Sequence, residues 1–174
     1  MTQIHSVPLP SQSALFGRQQ KRGFSDALRF EITDTNRTPS EVYIDVFGHL
    51  PKSVEKLMAL RNVLVKPFGF AISAGKVALN AQQLREGKGI GLHHVESLCA
   101  DEIICSTEDK HMRVSLSIVK HAPGQFTLST LVNTHTWIGY LYLLAIIPFH
   151  KVIALGSLRS MLNRVANAVH SCAK

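Results

Sequence analysis

The chain has 174 residues, 45% hydrophobic and 18% charged, with a formal net charge of +7. That length suits one domain with a sizeable core, and the apolar content excludes a disordered chain. The 19 Lys and Arg residues are dispersed, the densest group being Arg18, Lys21 and Arg22, and no helix-turn-helix or zinc-finger spacing is present, so no nucleic-acid partner is expected.

Residues 1–24, rich in Ser, Gln, Pro and Gly, read as a lead-in segment, and 25–170 as a single domain. Met1 to Phe16 holds no basic stretch followed by an apolar core, so no secretory signal is expected. Leu28, Phe30 and Ile32 alternate with Ala27, Arg29 and Glu31, the period of a half-buried strand. Thr38, Pro39 and Glu41 form the signature of a capped helix that ends near Gly48. A second helix starts at Pro51, with Val54, Leu57, Met58 and Leu64 on one face, and stops at Lys66-Pro67. Residues 68–89, punctuated by Gly69, Gly75, Gly87 and Gly89, predict a loop or irregular crossing.

Strands then recur at roughly 90–98, 102–107, 112–120 and 125–135. In the third, Met112, Val114, Leu116 and Ile118 alternate with Arg113, Ser115 and Ser117, which predicts a sheet wet on one face. Ala122-Pro123-Gly124 predicts a hairpin loop that pairs His121 with Gln125, Ile118 with Leu128 and Met112 with Thr134. Asp101-Glu102 reads as a solvated turn. The last element, a helix from Thr136 to Val169, is apolar nearly all round at first and amphipathic later, with a kink or break expected at Pro148. Its apolar run, Trp137 to Phe149, is too short to span a bilayer, and His150 and Lys151 interrupt it, so no transmembrane segment is expected.

Asp109-Lys110-His111-Met112, Ser129-Thr130, Asn133-Thr134-His135, Gly139-Tyr140-Leu141-Tyr142 and Pro148-Phe149-His150 resemble an uncharacterised bacterial family, catalogued as a domain of unknown function and sometimes fused behind nucleotide-sugar-epimerase-like domains. The likeness covers roughly residues 25–168, and no Gly-x-Gly-x-x-Gly fingerprint accompanies it. That family is similar in layout to the helix-grip superfamily of START-like (SRPBCC-like) and polyketide-cyclase-like proteins. The resemblance implies an α+β helix-grip fold: a curved antiparallel sheet, two short helices and a long C-terminal helix across the sheet. It also implies a hydrophobic cavity between sheet and helix, although fold alone assigns no activity.

With even-numbered strand residues facing the helix, the expected pocket is lined by Phe30, Val114, Leu116, Leu128 and Val132, and also Ile118, and closed by Trp137, Tyr140, Phe149 and Leu144. A small apolar ligand or lipid is the expected partner, and a filled core is the structural alternative. His111 and His135 lie opposite one another in this register, with Asp109 in the preceding turn. A carboxylate beside imidazoles is a route to proton transfer, which would make the protein a cyclase- or dehydratase-like enzyme. Their odd parity points them away from the cavity, and the plainer reading is a hydrogen-bonded turn. His93 and His94 face opposite sides of a strand, so at most one reaches the pocket. His150 reads as a donor to carbonyls freed by Pro148, or else as a pocket-facing imidazole. No metal-ligand spacing and no nucleophile motif appear, so neither metal nor cofactor is expected. Cys99, Cys105 and Cys172 form no Cys-x-x-Cys pair and read as reduced thiols of a cytoplasmic protein. A lipid-surface module that uses the apolar part of the last helix is the remaining alternative.

Overall fold

The computed structural model describes residues 3–69, 84 and 94–172. Strands β1 (His5–Val7), β2 (Gly23–Glu31), β3 (His94–Leu98), β4 (Glu102–Glu108), β5 (Met112–Ala122) and β6 (Gln125–Thr134) form one sheet. Its spatial order is β1-β2-β6-β5-β4-β3, and every pair is antiparallel. Helices α1 (Pro39–Phe47) and α2 (Lys52–Val65) connect β2 to the later strands, and α3 (Trp137–Cys172) packs across the sheet. The fold is therefore α+β, with the long C-terminal helix laid on an open antiparallel sheet. The expected loop over 68–89 and His93 lie largely or wholly outside the described residues.

Local signals account for the elements. Thr38 accepts from the Glu41 backbone while the Glu41 side chain accepts from the Thr38 backbone, so both halves of the capping box are present at α1. The β5–β6 register holds from Met112 opposite Thr134 to Lys120 opposite Phe126. The turn itself differs from the expectation: Ala122 rather than His121 pairs with Gln125, because the ladder shifts between Lys120 and Ala122. Gly124 has φ +76°, and a β-carbon there would stand 2.6 Å from the Ile32 carbonyl, so this position needs glycine twice over.

The face of the sheet toward α3 divides into two parts. At one end Phe30, Val42, Tyr43, Val46, Phe126, Leu158 and Met161 form a sealed core, each at most 1% exposed. Full burial of side chains of this size stabilises by roughly 1.5–3 kcal/mol apiece. At the other end Met112, Val132 and Leu143 form a smaller cluster that borders open space.

The face of the sheet turned away from α3 is covered over its centre. Ser115, Ser117, Thr127 and Ser129 are buried there, because the N-terminal segment folds over them. Leu15 is fully buried against Ile104 and Leu131, and β1 pairs with β2. Glu102, expected in a solvated turn, is buried and accepts from Ser13 Oγ at 2.6 Å, Ala14 N at 2.9 Å and Ser117 Oγ at 2.6 Å. Small hydroxylated side chains read as a solvated face by polarity, yet here they supply partners for a buried carboxylate.

Helix α3 passes through Pro148 without a break. By length and composition Trp137–Asn167 is long and apolar enough to cross a membrane, since one histidine and one lysine do not end the apolar stretch at Phe149. One side of it nonetheless lies against the sheet, where Leu143, Ser157, Leu158, Met161 and Leu162 are buried.

Candidate functional site

Between the sheet, α2 and the first part of α3 lies an apolar cavity of about 790 Å³, within the range of small-ligand sites. The sheet contributes Phe24, Met112, Val114, Leu116, Leu128 and Val132. These are even-numbered residues, which the alternation of strand side chains sends to the helix side. Leu57, Met58 and Leu60 of α2 form a second wall. Helix α3 lines the cavity from Ile138 to Ser157, through residues that include Tyr142, Ile146, His150 and Ile153. Their three- and four-residue spacing keeps them on one helix face.

Of the expected pocket residues, Val114, Leu116, Leu128, Val132 and Phe149 border this space. Phe30 and Ile118 do not, because they belong to the sealed core, where Phe30 stacks on Phe126 with ring centroids 6.1 Å apart. Trp137 and Tyr140 fall on the flank of the helix. The Arg22 guanidinium lies 4.1 Å above the Trp137 ring, and Tyr140 meets that ring edge-on. Leu144 points to solvent and is 49% exposed.

Asp109, His111 and His135 build a corner between β5 and α3. Asp109 Oδ1 accepts from the backbone N–H groups of His111 at 2.7 Å and Met112 at 3.0 Å. The His111 carbonyl accepts from His135 N, and His111 Nδ1 bonds Thr136 Oγ1 at 2.9 Å. Thr136 Oγ1 accepts from Gly139 N and so caps α3. His135 Nε2 turns outward to Glu108 Oε1 at 3.2 Å. Neither histidine lines the cavity, whereas Asp109 does. His94 is exposed on β3.

Polar groups enter the cavity wall elsewhere too, Thr107 and Thr130 among them. Arg61 Nε donates to the Tyr142 hydroxyl at 2.8 Å, and burial raises the pKa of that phenol, which keeps it protonated. His150 Nε2 is buried without a hydrogen-bond partner among the described residues, 3.8 Å from Asp26 Oδ2. Burial lowers the His150 pKa, and the Asp26 carboxylate opposes that shift only in part. Ser157 Oγ is likewise without a partner in a residue 2% exposed. The spacing of Tyr142, His150 and Ser157, eight and then seven residues, places them on one face of α3. That arithmetic was available from the sequence, but nothing in it marked this face as the cavity side.

Burial pushes the thiol of Cys105, also on the wall, up to about 11, which favours its protonated form. Among the described residues no group of three His, Cys, Asp or Glu side chains stands close enough to hold a metal ion.

No curated protein and no solved structure matches the chain. A family model does, over residues 19–157, beginning ahead of the expected likeness and ending within α3. The chain belongs to the family described as Protein of unknown function (DUF2867).

Proposed function

We propose that the protein binds a small, mainly apolar ligand in the cavity between the sheet and α3. One observation carries this reading: the cavity wall is mainly apolar side chain on all three sides, yet no side chain among the described residues fills the space. Cores close to near-crystalline density where nothing else is to be held, as the Phe30–Leu158 end of the same face does. Asp109, His111 and His135 serve in this reading as the corner that starts α3, not in proton transfer. Free thiols at Cys99 and Cys105 go with a cytoplasmic setting. The test is uptake of the neutral apolar dye Nile red by wild type and by Val114→Trp, which places an indole in the cavity. Saturable fluorescence enhancement in wild type, lost in a still folded Val114→Trp, is the expected result.

A second reading, that the protein also rests on a lipid surface, is favoured by a separate observation. Among the described residues, eight of the ten exposed large hydrophobic side chains lie on α2 and α3: Leu60, Val63, Trp137, Ile138, Leu141, Leu144, Phe149 and Val152. Helix α3 carries no Asp or Glu but does carry Lys151, Arg159 and Arg164, a composition suited to anionic headgroups. Sedimentation with anionic but not zwitterionic vesicles is expected, and retention on neither removes this reading.

A further inference from the structure

The cavity and the exposed apolar surface share side chains. Leu60 of α2 and Ile138, Leu141 and Phe149 of α3 all line the cavity, and each is 49–62% exposed. A side chain that borders both a cavity and solvent stands at the cavity's mouth. The cavity therefore opens between α2 and α3, through an apolar rim. A mouth that only admits solutes from water gains nothing from such a rim, whereas contiguous exposed apolar surface marks a place of contact.

The rim belongs to a larger face. At about 100° per residue, the exposed Ile138, Leu141, Leu144, Phe149 and Val152 fall within an arc of about 140° on α3 and run about 21 Å along it. Trp137, with the Arg22 guanidinium 4.1 Å above its ring, stands at one end, and Lys151 is exposed at the other. On α2, Lys52, Lys56, Leu60 and Val63 are exposed and share one side at the same spacing. An aromatic ring and cations at the margins of an apolar helix face suit a bilayer surface, with the ring at headgroup depth and the cations on anionic lipid. A second copy of the chain would instead bring the same cations, and the same net charge of +7, to the contact.

Resting on both readings above, we infer that the cavity opens into the membrane. The outer faces of α2 and α3 dock on an anionic leaflet with the mouth toward it, and the ligand is a lipid of that leaflet. It passes between bilayer and cavity along the apolar rim without crossing water, so the cost of hydrating its chain is never met.

The experiment mixes protein preloaded with Nile red with vesicles of phosphatidylcholine, with and without phosphatidylserine, and follows the departure of the dye by its emission shift. Passage on contact is second order. The rate should climb in proportion to vesicle concentration, be several-fold higher on the vesicles that contain phosphatidylserine, and fall with added salt. Release through water is limited by escape from the protein and depends on none of these. Leu144 and Val152 are exposed and lie outside the cavity wall. Leu144→Asp and Val152→Asp should thus take up Nile red as wild type does. Each should hand it to anionic vesicles about tenfold more slowly, having exchanged an apolar contact for a charge that the leaflet repels. A release rate that ignores vesicle concentration, or one unchanged in both variants, overturns the inference and leaves the ligand-binding reading standing. Wild type that takes up no dye sinks the two together.

Discussion

The two halves of α3 invert the usual relation between apolarity and burial. In the later half, Leu158, Met161 and Leu162 are at most 8% exposed, while Arg159 and Asn163 face water. That is an ordinary amphipathic helix closing a core. The earlier half is richer in apolar residues and far less covered: Ile138, Leu141, Leu144 and Phe149 are each about half exposed, and Leu143 is its one large side chain in the buried core. Hydrophobic side chains in the first region hold the fold together; in the second they border a cavity and solvent. Composition alone therefore overstated the structural role of the first half.

Truncation should separate these regions most sharply. Leu158→Ala removes a fully buried side chain from the sealed core, and should cost about 2–5 kcal/mol in urea unfolding. Leu141→Ser, at a residue 62% exposed on the cavity rim, should change stability by less than about 0.5 kcal/mol while weakening Nile red uptake. Equal losses in the two variants would erase the distinction.

The junction where α3 leaves the sheet comes next. A β-carbon at Gly139 would collide with the His111 carbonyl, so Gly139→Ala should destabilise by about 1–3 kcal/mol. Thr136→Ala removes both the cap on Gly139 N and the partner of His111 Nδ1, for a loss of about 1 kcal/mol. Both would be measured by thermal melts, and a Gly139→Ala variant as stable as wild type would show that the junction is not tight.

The smallest effect sharpens the comparison through pH. Burial holds His150 below its ordinary pKa of 6.5, and burial with the nearby Arg29 charge does the same for His121. The unfolded chain then binds protons that the folded chain refuses. Stability should be full above about pH 6.5 and fall as the pH drops from there toward the folded pKa values. Replacing the cavity imidazole, His150→Gln, should shallow that fall, leaving the share of His121. An unchanged slope would mean that His150 is not held neutral by the cavity wall.

Where local chemistry decides structure, the sequence was legible. The Thr38–Glu41 box and the alternation along β5 and β6 sufficed for helix start, register and facing. It misled where tertiary context overrides local polarity. The serines and threonines on the face away from α3 are buried because residues from the N-terminal segment reach that face, a long-range fact invisible in a period-two pattern. Asp109, His111 and His135 were correctly juxtaposed by register, but their partners Thr136 and Glu108 turn them into a corner. His150 and Asp26 escaped notice as a pair because they are far apart in sequence, and only packing of α3 on β2 brings them within 3.8 Å.

The space between sheet and α3 is the claim on which the functional account stands. Native mass spectrometry of freshly purified protein, before and after incubation with dodecanol, tests it most directly. The account predicts a species heavier than the bare chain, as purified or after incubation, whose added mass is released on denaturation and is absent in Val114→Trp. Bare chain alone in both spectra would contradict it.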